Sequence, residues 1–342
     1  MIYLDNAATT VCKFPASAYD DVWGNANTPY KFGLDVRQAA DECRERVKKC
    51  LGVKGGKVIF CSNASEAAKI LCDRLQAYGI FTTCVPYEHD SVYDLVEMHG
   101  YQFVHYSDFT AIFQQWVNPV TGTIFDIHSI RQSLGNDCFL CMDATAGIGK
   151  RILTQSIVSS VDAIWFSGHK FNGPKTGGIL WVSDRLSKLY LSDDSRNEYG
   201  LKHGTLDVPS FIATTYALEY TFSNSIDNIW HYAEINDYLS NRAGNRVVSF
   251  KQYANDQLNA TVLIDTGCNA DVLVQYLSSK GIYVGLAHSA CSADADYRVT
   301  QAFGISKETA ERCIRVSFSE DNTFNDIDAL VNGIKEFKEK FV

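Results

Sequence analysis

The sequence predicts an α/β protein: a large domain built on a mostly parallel sheet, joined to a smaller α+β domain. Three observations carry this prediction. Short apolar runs alternate with more polar, helix-like stretches from Val58 to Val182, and the pattern changes after Asp207. The chain's 342 residues, 46% of them hydrophobic, also exceed what a single core usually fills.

Val58-Ile59-Phe60, Phe81 to Val85, Phe139 to Met142, Ala163 to Phe166 and Gly178 to Val182 have strand length and composition. After Asp207, Pro209 suits a first helical turn, and the aromatic-rich segment towards Tyr238 predicts one long connecting helix. Strand-like Ala260 to Ile264 and helix-like Ala270 to Ser279 follow. The chain ends in an amphipathic helix with Ile327, Leu330, Val331 and Ile334 on one face. The large domain is expected over 13–208, and the small one over 1–12 and 209–342 with the connecting helix.

A formal net charge of -9 gives the chain a field that repels phosphate backbones and anionic membranes, so neither nucleic acid nor membrane is an expected partner. Met1 to Asp5 shows no basic start or apolar leader, and a cytoplasmic location is expected. Eleven cysteines at irregular spacings predict reduced thiols rather than a disulfide framework. Cys138 and Cys141 lie in an apolar run and read as core strand residues. A zinc site would need further ligands, so no metal is expected.

The segment Trp165 to Gly178 sets Lys170 among small, polar and glycine residues just past a predicted strand, where an open sheet exposes side chains to a cleft. A surface lysine is the plain alternative. A nucleotide-phosphate loop is a second one, because Gly168, Gly173, Lys175 and Thr176 nearly fit its spacing. Pro174, however, displaces the lysine and removes a backbone donor.

A Schiff base from Lys170 to pyridoxal phosphate fits better. That cofactor needs a carboxylate against its ring nitrogen to act as an electron sink, and Asp143 closes the strand Phe139 to Met142. Asp143 would serve equally as a helix cap. Cys61 to Glu66 leads from a strand into a helix whose N-terminus suits a phosphate, although Asn63 with Glu66 also reads as a capping box. Arg315, inside an apolar run, calls for a carboxylate, either a substrate's or a structural partner's. Cys291 differs from the other cysteines in lying among Ser, Ala, His and Asp, as an accessible and reactive thiol would.

In this order the segments resemble the cysteine desulfurases, within the class V aminotransferase group, over nearly the whole chain. The resemblance rests on Tyr3 to Thr10, Phe60 to Ala67, Glu88-His89, Asn118 to Gly122, Asp143-Ala144-Thr145, Ser167 to Lys170, Gly204-Thr205, His288 to Ser292 and Ile314 to Ser317. It implies an aspartate aminotransferase-like fold that binds pyridoxal 5'-phosphate. Asn63, Ala64, Ser65, His89, Asn118, Asp143, Thr145, Ser167, His169, Lys170 and Thr205 would hold the cofactor, with Thr205 reaching across a homodimer. Ala8, Asn118 and Arg315 would bind the substrate.

Lys170, Cys291 and His89 are the implied catalytic residues: Lys170 as general base on L-cysteine, Cys291 as acceptor of its sulfur, before transfer to an acceptor protein, for instance in iron–sulfur cluster assembly. The chain departs from the family at Ala146, where a glutamine is usual, at Lys202-His203, and at the Asn118-Pro119 loop. A class V aminotransferase or selenocysteine lyase is therefore the alternative, and a non-catalytic scaffold or sulfur carrier is one of another class.

Overall fold

The computed structural model describes residues 1–98, 111–248, 250, 256–288 and 297–342. Within them the strands are β1 (Ile2–Leu4), β2 (Lys57–Cys61), β3 (Thr82–Cys84), β4 (Ala111–Gln115), β5 (Phe139–Asp143), β6 (Ala163–Ser167), β7 (Gly178–Val182), β8 (Thr261–Asp265), β9 (Ile282–Leu286) and β10 (Cys313–Ser317). The helices are α1 (Lys31–Leu51), α2 (Ala64–Ala77), α3 (Asp90–Met98), α4 (Ile127–Leu134), α5 (Gln155–Ser159), α6 (Asp184–Tyr190), α7 (Val208–Ser223), α8 (Ser225–Ala243), α9 (Ala270–Ser279), α10 (Arg298–Ala302), α11 (Lys307–Ala310) and α12 (Phe324–Phe341).

The larger sheet has the order β2-β7-β6-β5-β4-β3, parallel from β3 to β6, with β7 antiparallel to both its neighbours. Every residue of β4 to β7 is buried. Covering both faces requires continuous apolar runs rather than alternation, and such runs are what make these strands readable in the sequence. Cys138 and Cys141 are core residues of this layer, and every described cysteine is a free thiol.

The smaller sheet, β1-β9-β10-β8, joins the N-terminal strand to the C-terminal third of the chain. There β1 runs parallel to β9, while β10 is antiparallel to β9 and β8. One continuous cluster of buried apolar side chains extends from Val58 of β2 to Ile334 of α12, so the two sheets share a core.

The single connecting helix expected after Asp207 is instead two helices in succession. Asp207 caps α7 by accepting from the Ser210 N–H, with Pro209 in the first turn. Asn224 then leaves helical geometry at φ -104° and ψ 5°, and its side-chain amide donates to the Tyr220 carbonyl at 2.7 Å. That local bond competes with the helical ladder and ends the helix. α7 packs against α1 on the large-sheet side, whereas α8 packs against α12, so the change of partner falls at Asn224. Among the described residues no helix is long and apolar enough to cross a membrane, and no cluster of His, Cys, Asp or Glu is arranged to hold a metal.

Candidate active site

Parallel β4, β5 and β6 end at one edge of the large sheet, with Gln115 in register with Asp143, and Asp143 with Trp165. A cavity of about 440 Å³ opens at this edge. Ala7 and Ala8 from beyond β1 close it, opposite residues that follow the large-sheet strands. This is the crevice beyond the carboxyl ends of the strands where open α/β sheets bind ligands.

Lys170 follows β6 by one tight turn and enters the cavity, its Nζ donating to the carbonyl oxygens of Ala7 at 2.6 Å and Ala8 at 2.8 Å. The segment 7–13 is tied across this turn. Thr10 N–H donates to the His169 carbonyl at 2.8 Å, and Lys13 N–H to that of Asn172 at 2.8 Å.

The glycines around Lys170 have a packing cause. A Cβ at Gly177 would stand 2.0 Å from Thr214 Oγ1, and one at Gly173 would stand 3.2 Å from Ala217 Cβ, both on α7. The near-match to a nucleotide loop thus reflects close approach of a helix to this turn.

Asp143 is nearly buried, its Oδ1 accepting from the Thr145 N–H at 2.8 Å in a local turn, with no helix beginning there. Burial raises its pKa; the bond from Thr145 and the charges of His89 and Lys170 act in the opposite sense. His89 has two placements at once. It precedes α3, where its Nδ1 accepts from the Ser91 N–H at 3.2 Å, and its ring lines the cavity. Nδ1 also lies 3.0 Å from the Ser91 hydroxyl.

Behind His89, Glu88 is fully buried. Its Oε2 accepts from the His89 N–H at 2.9 Å, while Oε1 has no partner among the described residues. Burial first, and then the neighbouring Asp143, push its pKa well above the usual carboxylate value.

Asn63, Ala64 and Ser65 line the opposite wall at the N-terminus of α2. The Asn63 side chain caps that helix, whereas Glu66 reaches back to the Ser62 N–H, one residue earlier than in a true capping box. Gly178 of β7 makes this approach possible, since a Cβ there would lie 2.6 Å from the Asn63 backbone. His169 also lines the cavity. Burial, then Lys170, Lys150 and Lys175, lower its pKa to about 4, so it is neutral. Thr205 is exposed, and Lys202 pairs with Glu66 at 3.1 Å.

Two expected ligands are disposed differently. Asn118 spends its side chain on its own loop: the oxygen accepts from the Val120 N–H at 3.0 Å and the Thr121 N–H at 2.8 Å, and the amide donates to the Tyr87 carbonyl at 3.2 Å. Its neighbours Val117 and Pro119 line the cavity in its place. Arg315 is 1% exposed in β10 and paired with Asp5 at 2.8 Å, the structural salt bridge that the sequence left open. Cys291 lies outside the described residues. Lys150 and Gln115 line the cavity although no motif pointed to them, and Lys175, noted only for the spacing of a nucleotide loop, lines it as well.

A lysine and a carboxylate lining one cavity, between a large mostly parallel sheet and a small one, form the layout in which aminotransferase-type folds hold pyridoxal phosphate. The chain belongs to the class-V aminotransferase family, whose model it matches over residues 2–93 and 83–330. It is 25% identical over 378 residues to a NifS/IcsS protein homolog of Lactobacillus delbrueckii subsp. bulgaricus, covering 100% of this chain and 98% of that protein. It is 26% identical to the cysteine desulfurase IscS of Buchnera aphidicola, covering 95% of this chain and 90% of that one. Among solved structures, a NifS-like protein superposes with a TM-score of 0.86 at 22% identity over 99% of this chain and 100% of that one. A cysteine desulfurase of Thermococcus onnurineus does so with 0.82 at 16% identity over 99% and 95%.

The residues present fit the cofactor of this family. The hydroxyl of Ser167 is buried at the end of β6 with no hydrogen-bond partner among the described residues. Buried hydroxyls rarely go unpaired, and a phosphate oxygen would satisfy it.

Proposed function

We propose that the protein is a pyridoxal-phosphate-dependent cysteine desulfurase that converts L-cysteine to L-alanine and passes the sulfur to Cys291. The observation that carries this reading is Lys170, lining the cavity together with Asp143 and held 2.6 Å from the Ala7 carbonyl. The names of the relatives support it.

Asn63, Ala64, Ser65, Ser167, His169 and Thr145 would hold the phosphate and the groups near it, Asp143 the ring nitrogen, and His89 the ring face. The cofactor supplies an electron sink that acidifies the substrate's Cα–H bond. Lys170 takes that proton as general base; the carbonyl oxygens of Ala7 and Ala8 hold its amine in place meanwhile. The Cys291 thiolate attacks the substrate sulfur. An S–S bond forms, the Cβ–S bond breaks, the pair left at Cβ takes up a proton, and the proton held by Lys170 returns to Cα to give L-alanine.

A homodimer in the cytoplasm belongs to the same proposal. Trp23, Tyr30, Phe32 and Tyr216 are between 37% and 76% exposed; Trp23 meets Phe32 at 5.1 Å and Tyr19 stacks on Tyr216 at 5.5 Å. Such exposed aromatic side chains suit a subunit interface, and Thr205 would contact the partner's cofactor.

The deciding experiment incubates the cofactor-loaded protein with a panel of amino acids and follows sulfide, selenide, alanine and keto acids. Equal amounts of sulfide and alanine from L-cysteine are expected. Transamination without sulfide, or selenide release without sulfide, would replace this reading with that of an aminotransferase or a selenocysteine lyase.

A further inference from the structure

His89 lines the cavity, yet the segment that carries it leaves the large sheet at β3, a three-residue strand that pairs only with β4 among the described residues. Gln115 and Asn118 hold the Tyr87 carbonyl from the large-sheet side, at 2.6 and 3.2 Å. The turn is gripped from the small-sheet side as well. The Tyr87 ring stacks on Phe125 at 4.7 Å and meets Phe303 at 5.4 Å, against the apolar cluster that includes Leu263 of β8, Ala310 of α11 and Cys313 of β10.

Arg298, the first residue of α10, brackets the histidine with its guanidinium. Nη1 donates to the Pro86 carbonyl at 2.5 Å, and Nη2 donates to Asp90 Oδ1. The guanidinium carbon lies 4.1 Å from the centroid of the Tyr93 ring, further along α3. Two donors in one rigid plane fix the separation of their acceptors, which a single ammonium cannot do. Pro86 to Asp90 is therefore held to one geometry, with His89 inside the span.

We propose that Arg298 is a positioning residue for His89, setting the place of its ring in the cavity from the small-sheet side. The proposal rests on the reading that the cavity holds pyridoxal phosphate with His89 on its ring face. Phe303, which ends the same helix, packs on Tyr87, so both ends of α10 bear on this turn. The placement of α10 is thereby coupled to the group that faces the cofactor ring.

The test compares the cofactor-loaded wild type with Arg298→Met, Arg298→Lys and His89→Ala by circular dichroism of the cofactor's visible band, which responds to the groups packed against the ring. Both Arg298 variants should move the band in the direction that His89→Ala moves it. Adding Arg298→Met to His89→Ala should change nothing further, because the two act through one contact. A Lys variant equal to wild type would show that charge suffices without the planar fork. An undiminished effect of Arg298→Met in the absence of His89 would show that Arg298 does not act through it. Either result overturns the proposal.

Hydrogen exchange on the cofactor-free full chain separates this proposal from the cofactor reading, since it needs neither ligand nor turnover. Peptides covering 87–93 should exchange about 10-fold faster in Arg298→Met and Arg298→Lys, and less markedly faster in the milder Asp90→Asn, while β5 and β6 keep wild-type protection. Should Arg298→Met fail to fold, Arg298→Lys and Asp90→Asn decide. Unchanged exchange at 87–93 in those two, or an equal loss of protection in β5 and β6, refutes the clamp. Faster exchange confined to 87–93, in a protein whose wild type binds no pyridoxal phosphate, upholds the clamp and removes the cofactor reading.

Discussion

Arg315 Nη2 donates to Asp5 Oδ1 at 2.8 Å across the strand that separates β1 from β10. The crossing point is Gly285 of β9, in register with Arg315. A Cβ there would stand 2.7 Å from Asp5 Oδ1 and 2.9 Å from Arg315 Nη2. The glycine thus leaves room for a bond that ties the chain's first strand to its last.

Removing one partner of a buried pair leaves the other charge uncompensated, so Asp5→Asn should cost about 2–3 kcal/mol, reduced from the fully buried case because Asp5 is partly exposed. Gly285→Ala should act in the same direction by pushing the pair apart. Urea denaturation should show a lower midpoint at unchanged slope for both.

Glu88 predicts a pH effect whose sign is set by its raised pKa. A carboxyl held protonated in the fold contributes fully below its unfolded value near 4.5 and loses that contribution as pH rises towards its folded value. Glu88→Gln keeps the shape without the titration. The variant should match wild type near the lower end and gain on it at up to about 1.4 kcal/mol per pH unit above it. Denaturation curves across that range would show a widening gap; parallel curves would mean that Glu88 is ionised in the fold.

Borohydride treatment of the cofactor-loaded protein should attach the label to the peptide bearing Lys170, leaving Lys150 and Lys175 unmodified, as peptide mass mapping will report. Lys170→Ala should lower turnover of L-cysteine by at least about 10²-fold, the usual scale for a lost general base, with fold stability little changed.

Cys291→Ala leaves the described cavity intact, so the absorbance response to L-alanine should persist while sulfide release falls by several powers of ten. A variant that keeps most of its sulfide release would exclude Cys291 as the sulfur acceptor.

The sequence by itself determined the features that depend on neighbours a few residues away. The helix read at Ala270 to Ser279 has those limits, the buried runs became β5, β6 and β7 to within a residue, and the places of Asp143 and Lys170 were legible because one ends a strand and the other comes just after one in its own segment. Periodicity, strand ends and caps are short-range signals.

Tertiary structure alone decided the rest. Nothing local shows that β7 runs against its neighbours or that Asn118 folds onto its own loop. Nor does any local signal set Arg315 over Gly285 onto Asp5, or bring Arg298 to the turn that carries His89. An apolar run does not encode its direction, and whether a charge is paired depends on groups that are distant in sequence and are brought together only when the sheets close.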